Sequence, residues 1–127
     1  MAGNLSNYLE NKLIDHFLGT TSFTMPAAVY VGLYTVAPDD TGGGTQVTGG
    51  SYARQTATFT ASSSGATSNS ANIDFAGMPA TTVVAIGIFD ASTAGNLLLW
   101  GTLTVNKTTD AGDTLRIATG DLDISID

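Results

Sequence analysis

The residues of this sequence that most often carry catalysis are few, and their spacing argues against an active site. The single histidine, His16, directly follows Asp15, and serine is abundant. A Ser-His-Asp triad needs its acid and its nucleophile on opposite sides of the imidazole, whereas neighbouring helical residues point about 100° apart. The sequence contains no Gly-x-Ser-x-Gly nucleophile elbow. We therefore predict no catalytic residues and no enzymatic activity, with His16 at an interface or at the edge of the core.

Two groups of carboxylates supply the hard oxygen ligands that Ca²⁺ prefers. They are Asp39–Asp40 and the set Asp121, Asp123 and Asp127. Neither group has the spacing of the Asp-rich calcium loop that ends in Glu. Alternation places the second group on the solvated face of an edge strand, where charge prevents aggregation between sheets. We predict no metal and no cofactor; the alternative is an adventitious surface cation.

Two further candidate sites have structural explanations. Glycoside hydrolysis needs two carboxyl groups across a cleft, and the sequence alone does not bring Asp74 and Asp90 together. An aromatic platform for a sugar is the second candidate. Its members would be Tyr30, Tyr34, Tyr52 and Trp100. Because the chain has few aromatic residues, core packing is the favoured explanation for most of them.

Only one segment, residues 5–18, predicts a helix. Asn4 or Ser6 can cap its start, and Gly19 can end it in the left-handed conformation. Ile14 and Leu18 widen its apolar surface beyond what packing against one sheet requires. We therefore predict that a neighbouring subunit covers part of this helix. The predicted interface residues are Leu5, Leu9, Leu13, His16 and Phe17.

After the helix the hydrophobic period changes to two, which predicts β-strands. We expect about seven short strands. They are AVYVGLYT, ARQTATFT, NIDF, TVVAIGIFDA as the central strand, LLLWGTLTV, TLRIATG and LDISID, the last with Leu122, Ile124 and Ile126 facing inward. Residues 37–51 predict a mobile surface loop and residues 61–71 a turn. The predicted fold class is all-β: one antiparallel β-sandwich or jelly-roll-like domain over residues 1–127, with one N-terminal α-helix.

The composition limits the classes of partner. Charged residues make up 12% of the 127, hydrophobic residues 43%, and the net charge is −7. An acidic chain is repelled by phosphate backbones and anionic lipids, so we predict no nucleic-acid and no membrane partner. Cysteine is absent, which excludes disulfides and thiol catalysis. No signal peptide and no apolar run approaching the ~20 residues of a membrane span is visible, so we expect a soluble protein.

Several stretches match a known pattern in their order along nearly the whole chain. They are LSNYLENKLIDHFLG, YVGLYTVAPDD, GGSYARQTATF, SNSANIDF, GIFDASTAGNLLLWGTL and GDTLRIATGDLDISID. As an ordered set they resemble a family of short tailed-bacteriophage virion proteins, catalogued as tail-fibre or head-decoration proteins. The resemblance implies a virion surface component, synthesised in the host cytoplasm, with a β-sandwich body and no catalytic residues.

The position of such a protein in the virion can be argued from its length and surface. A fibre is long and typically contains heptads, repeated β motifs or a shaft, and this sequence contains none of them. A small, acidic, weakly charged domain suits a capsid decoration (cement) protein that binds and stabilises neighbouring coat subunits. We therefore predict a homo-oligomer, with a trimer favoured, on the capsid surface, bound to the major capsid protein or other virion proteins. The alternative is a tail accessory, tail-fibre or receptor-binding subunit.

Overall fold

Strands make up most of the regular secondary structure. A computed structural model of the chain describes residues 4–126, and in this part there are one helix and ten strands. The elements are β1 (Asn4–Leu5), α1 (Asn7–Phe17), β2 (Val29–Val36), β3 (Thr45–Gln46), β4 (Gln55–Ala57), β5 (Ala66–Ser68), β6 (Ile73–Met78), β7 (Thr81–Phe89), β8 (Leu97–Thr109), β9 (Asp113–Ile117) and β10 (Asp123–Ser125). The prediction of an all-β fold with one N-terminal helix is confirmed.

Six of the strands form one antiparallel sheet. Its order is β1-β8-β7-β2-β3, with β4 also paired to β2. Strand β7 is central, as predicted, because its nearly continuous apolar residues are buried on both faces of the sheet. The β7–β8 pairing runs from Thr81 opposite Thr109 to Phe89 opposite Leu97.

A second layer of two short antiparallel ribbons covers one face of this sheet. One ribbon pairs β6 with β9, and the other pairs β5 with β10. The main core lies between the layers, because alternate residues of each strand point toward it. Its members from the large sheet include Val31, Leu33, Ile86 and Ile88, and those from the ribbons include Ile73, Phe75, Leu122 and Ile124. Each such side chain contributes about 1.5–3 kcal/mol when fully buried.

The opposite face of the large sheet carries a smaller apolar cluster built around Phe89. Gly32 and Gly87 pair across β2 and β7 and leave room for the rings of Tyr34 and Phe89. A Cβ atom added at Gly87 would lie 2.8 Å from Leu97 Cδ1. The aromatic rings therefore pack directly on the glycine backbone.

The helix begins later than predicted, because Asn4 and Leu5 pair with β8 as the short strand β1. Leu5 pairs with Leu99 in β1, so it does not lie on the helix. Ser6 is the N-cap: its Oγ accepts a hydrogen bond from the Leu9 amide, and its hydroxyl and amide donate to β8 carbonyls. At the other end Gly19 has φ +76°, so the predicted left-handed termination is confirmed.

Four strand and loop predictions were wrong in detail. Residues 37–51 are not wholly a loop, because β3 pairs with β2 there. Residues 61–71 contain β5, which pairs with β10 despite its small polar residues. The segment ARQTATFT is a regular strand only over Gln55–Ala57. In the last segment Ile126 is 54% exposed rather than inward-facing, because β10 ends at Ser125.

Candidate interaction surfaces

The last turn of α1 presents three large apolar side chains to solvent. Ile14, Phe17 and Leu18 are 56%, 74% and 78% exposed, and their spacing of three and four residues places them on one face. We call these three residues the helix-end surface. α1 packs against β1 and β8, and Leu9 is its buried residue. The fold therefore covers the beginning of the helix and leaves its end uncovered.

The predicted interface residues divide between the protein interior and this surface. Leu9 is buried within the chain's own fold, and Leu5 is half-buried in β1. Leu13 is half-buried, while His16 and Phe17 are exposed. The rings of His16 and Phe17 meet edge to face with their centroids 5.8 Å apart. Ile14 and Leu18, predicted at the side of the apolar stripe, form the exposed surface together with Phe17.

His16 has a structural role in the turn that follows α1. Its Nδ1 accepts a hydrogen bond of 3.1 Å from the Phe23 amide, so the neutral ring carries its proton on Nε2. The Asp15 carbonyl accepts from the amides of Thr20 and Thr21. Within residues 4–126 no serine hydroxyl hydrogen-bonds to His16. These contacts hold the chain after Gly19 against the end of the helix.

An open groove of about 560 Å³ lies between the second half of β8 and β9. Although a short turn joins the two strands, β8 pairs with β7 and β9 pairs with β6, so they diverge. β8 also bulges here: Val83 pairs with Lys107 and Ala85 with Thr102, so residues 103–106 lie opposite Val84 alone. We call this opening the β8–β9 groove. Its apolar lining includes Leu33, Val83, Leu103, Val105, Leu115 and Leu122.

Charged side chains flank the floor of the β8–β9 groove. Arg116 is paired with Asp74 through two hydrogen bonds, Nε to Oδ1 at 2.7 Å and Nη2 to Oδ2 at 2.9 Å. These bonds lower the pKa of Asp74 and raise that of Arg116. Lys107, on the β8 side, makes no ion pair within residues 4–126. Asp113 and Asp121 complete the charged lining. The sequence offered little signal for this groove, since it depends on which strands pair.

A second cleft, of about 520 Å³, lies beside the start of α1. Loop residues 40–43, residues 95–97 and the helix start surround a floor that contains Tyr34 and Phe89. Asp40, in the segment predicted as a mobile surface loop, accepts a 3.0 Å hydrogen bond at Oδ1 from Trp100 Nε1. Its carbonyl accepts from the Asn7 amide. These bonds fasten the loop after β2 to β8 and to the start of the helix.

Two of the four residues of the candidate aromatic platform are packed inside the fold. Tyr34 is buried against Phe89, with ring centroids 6.4 Å apart. Tyr52 stacks on Phe75 at 6.0 Å, and its hydroxyl accepts from the Leu33 amide. Burial raises the pKa of both tyrosines. The favoured explanation by core packing is confirmed for Tyr34 and Tyr52.

Arg54 joins separate segments over the smaller apolar cluster. Its guanidinium carbon lies 3.5 Å from the centroid of the Phe89 ring. Nη1 donates to the carbonyls of Ala91 at 3.0 Å and Ala94 at 2.7 Å, and Nε donates to Gln46 Oε1 at 3.2 Å. Burial lowers the pKa of Arg54. The sequence carries no signal for this role of Arg54, because only the fold brings these segments together.

The carboxylates stand apart from one another or are bound by their own loops. In the described part of the chain no three His, Cys, Asp or Glu residues are grouped as metal ligands. Asp39 accepts from the amide and hydroxyl of Thr41, which lowers the pKa of its carboxyl group. Asp121 and Asp123 are exposed, as expected for a solvated face. Asp127 lies outside the described residues.

No helix in residues 4–126 has the length and apolarity of a membrane span.

Comparison with known proteins places this sequence in a family. The family described as podophage GP4 fiber I protein gp80 matches residues 4–125, which is nearly the whole chain. No curated protein matches the sequence. The expected resemblance to virion proteins of short-tailed phages is confirmed, and the chain belongs to the podophage GP4 fiber I protein gp80 family.

Proposed function

We propose that this chain is a structural subunit of the fibres of a short-tailed phage and that it self-associates through its helix-end surface. The family description names a fiber protein, which favours the tail, the alternative of the sequence analysis, over capsid decoration. The observation that carries the proposal is the cluster of Ile14, Phe17 and Leu18, which the chain's own fold leaves exposed. Exposed apolar clusters of this kind mark contact surfaces in structural proteins.

The apolar area of this surface favours association, and further contacts must add to it, because association costs about 4–15 kcal/mol. Full burial of one Ile, Leu or Phe side chain contributes about 1.5–3 kcal/mol, so the three together supply about 6 kcal/mol before the cost of association. Flanking contacts by His16 and half-buried Leu13 enlarge the interface. The proposed partners are further copies of this chain, with a trimer favoured, and other virion proteins.

The charge of the chain limits these partners further. The net charge is −7, and two of the four cations, Arg54 and Arg116, are already engaged within the fold. A virion partner therefore meets the chain through apolar, neutral or basic surface.

Capsid decoration is the second candidate function, and the shape of the chain favours it. Within residues 4–126 the single helix has 11 residues, and no coiled coil or repeated unit extends the molecule. A compact domain can clamp neighbouring coat subunits, whereas a fibre built from it needs many copies or longer partners.

The decisive experiment locates the protein in intact particles. Gold-labelled antibodies against this chain, viewed on purified virions by electron microscopy, should mark the tail appendages. Particles from a deletion mutant should keep their DNA on heating and lose adsorption to host cells. Label over the capsid, together with heat-sensitive mutant particles that adsorb normally, would reject the fibre function and support decoration.

A further inference from the structure

We propose that the helix-end surface of one copy inserts into the β8–β9 groove of a second copy, so that the copies join head to tail. This inference rests on the self-association proposed above and names the surface that receives the helix end. Both partners in the contact are present on the same chain. Ile14, Phe17 and Leu18 project from α1, and the β8–β9 groove contains no residue of α1 or of the segment that follows it.

The size and the apolar lining of the β8–β9 groove fit the helix-end surface of a second copy. Its volume of about 560 Å³ falls within the range of about 300–1,000 Å³ that holds compact apolar groups. Its floor is formed by core side chains such as Leu33 and Leu122, while Val105 at the bulge is 66% exposed. An inserted aromatic ring would shield Val105 from water and contact the apolar floor.

Charged side chains beside the helix-end surface and the β8–β9 groove determine how one copy is oriented on the next. Asp15 lies in the last turn of α1 beside Ile14, and Lys107 lies at the groove. Asp113 and Asp121 also line the groove and would repel Asp15. The favourable arrangement therefore brings Asp15 of one copy toward Lys107 of the next, away from these two carboxylates.

A contact between two different surfaces has a consequence for symmetry. Such heterologous contacts generate a closed ring when the rotation returns to the first copy, and an open filament when it does not. A ring of three copies is the trimer expected from the sequence. Association of two helix ends with each other would instead be isologous and would stop at a dimer.

Complementary variants test the proposal on the full chain. Phe17→Asp disables the helix end and keeps the groove, whereas Val105→Asp disables the groove and keeps the helix end. Both side chains are exposed, so both variants should fold. Val36→Asp changes an exposed apolar residue outside both surfaces and serves as the matched control. Circular dichroism verifies the fold of each variant, and analytical ultracentrifugation at increasing micromolar concentrations measures assembly.

The expected results distinguish head-to-tail assembly from other modes. Wild type and Val36→Asp should form rings or filaments, and each disabling variant alone should associate about 30-fold or more weakly, as for the loss of a hot-spot residue. An equimolar mixture of Phe17→Asp and Val105→Asp should form dimers and nothing larger, because one intact contact remains. Charge reversal in Asp15→Lys should weaken assembly, and Lys107→Asp in the same chain should restore it.

The failure of this inference is distinguishable from the failure of the proposed function. If Phe17→Asp is monomeric while Val105→Asp assembles like wild type, the helix end mediates self-association without the groove, and only this inference is rejected. If wild type is monomeric throughout, head-to-tail assembly and self-association are both rejected. The location of the protein in virions remains a separate measurement.

Discussion

Asn69 offers the sharpest test of how the second layer is held together. It lies between β5 and β6, is 1% exposed, and uses all its side-chain hydrogen-bonding groups in one place. Nδ2 donates to the carbonyls of Ala71 and Ala118, both at 2.9 Å, and Oδ1 accepts from the amides of Gly120 at 3.1 Å and Leu122 at 2.9 Å. The side chain thus fastens the turn before β10 to the segment before β6.

Replacement of Asn69 by Ala should lower the free energy of unfolding by about 4 kcal/mol, because four hydrogen bonds of about 1 kcal/mol each are lost. Backbone groups left without partners in the interior would increase the loss. Such a change is a large fraction of the 5–15 kcal/mol that stabilises a typical domain. Urea unfolding followed by the fluorescence of Trp100, the single tryptophan, measures it at a site distant in the fold.

Asn72→Ala is the matched control for this prediction. Asn72 Oδ1 accepts from the amide and hydroxyl of Thr119 at 2.9 and 3.1 Å, but the residue is exposed. Water can replace these bonds, so the loss should stay below about 1 kcal/mol. If Asn69→Ala cost no more than Asn72→Ala, the argument that buried amide bonding holds the second layer would be refuted.

Three other substitutions address the large sheet and the rim of the groove. Arg54→Lys should lower stability in urea by about 2 kcal/mol, because an ammonium group replaces neither the stacked guanidinium nor its forked hydrogen bonds. Gly87→Ala should cost about 1–3 kcal/mol and lower the melting temperature, because the added methyl group meets Leu97. Since Arg116 lowers the pKa of Asp74, that pair stabilises the fold above the unfolded pKa of about 3.9, and its contribution is lost as pH falls through the folded value. In Asp74→Asn, the urea concentration at the unfolding midpoint should therefore fall less steeply than in wild type as the pH is lowered below about 4. A midpoint that falls as steeply as in wild type would contradict this prediction.

The elements predicted best from the sequence were those in which local pattern and burial agree. β2, β7 and the first half of β8 follow from apolar residues at a period of two or in a continuous run. The helix and its end followed from the apolar stripe and Gly19. Its start followed only in part: Ser6, one of the two predicted caps, is the N-cap, but Leu5 pairs with β8 in β1 instead of lying on the helix.

The interaction surfaces were only partly predictable. The excess apolar width of α1 is visible in the sequence and predicts contact with a partner. Which residues remain exposed depends on the line along which α1 packs against β8: Leu9 is buried, while Phe17 remains 74% exposed. The β8–β9 groove has no local sequence pattern, since it results from two adjacent strands that pair with different neighbours.

By itself, the sequence determined the strand-rich class, the single N-terminal helix with its apolar excess, the acidic surface and the resemblance to phage virion proteins. These properties depend on residue type and on spacing over a few positions, and both can be read directly. The tertiary structure decided the pairing of β5 with β10, the placement of Arg54 over Phe89, and the burial of Asn69. Each of these joins segments about 35 to 60 residues apart through packing of the whole core, which no local preference encodes.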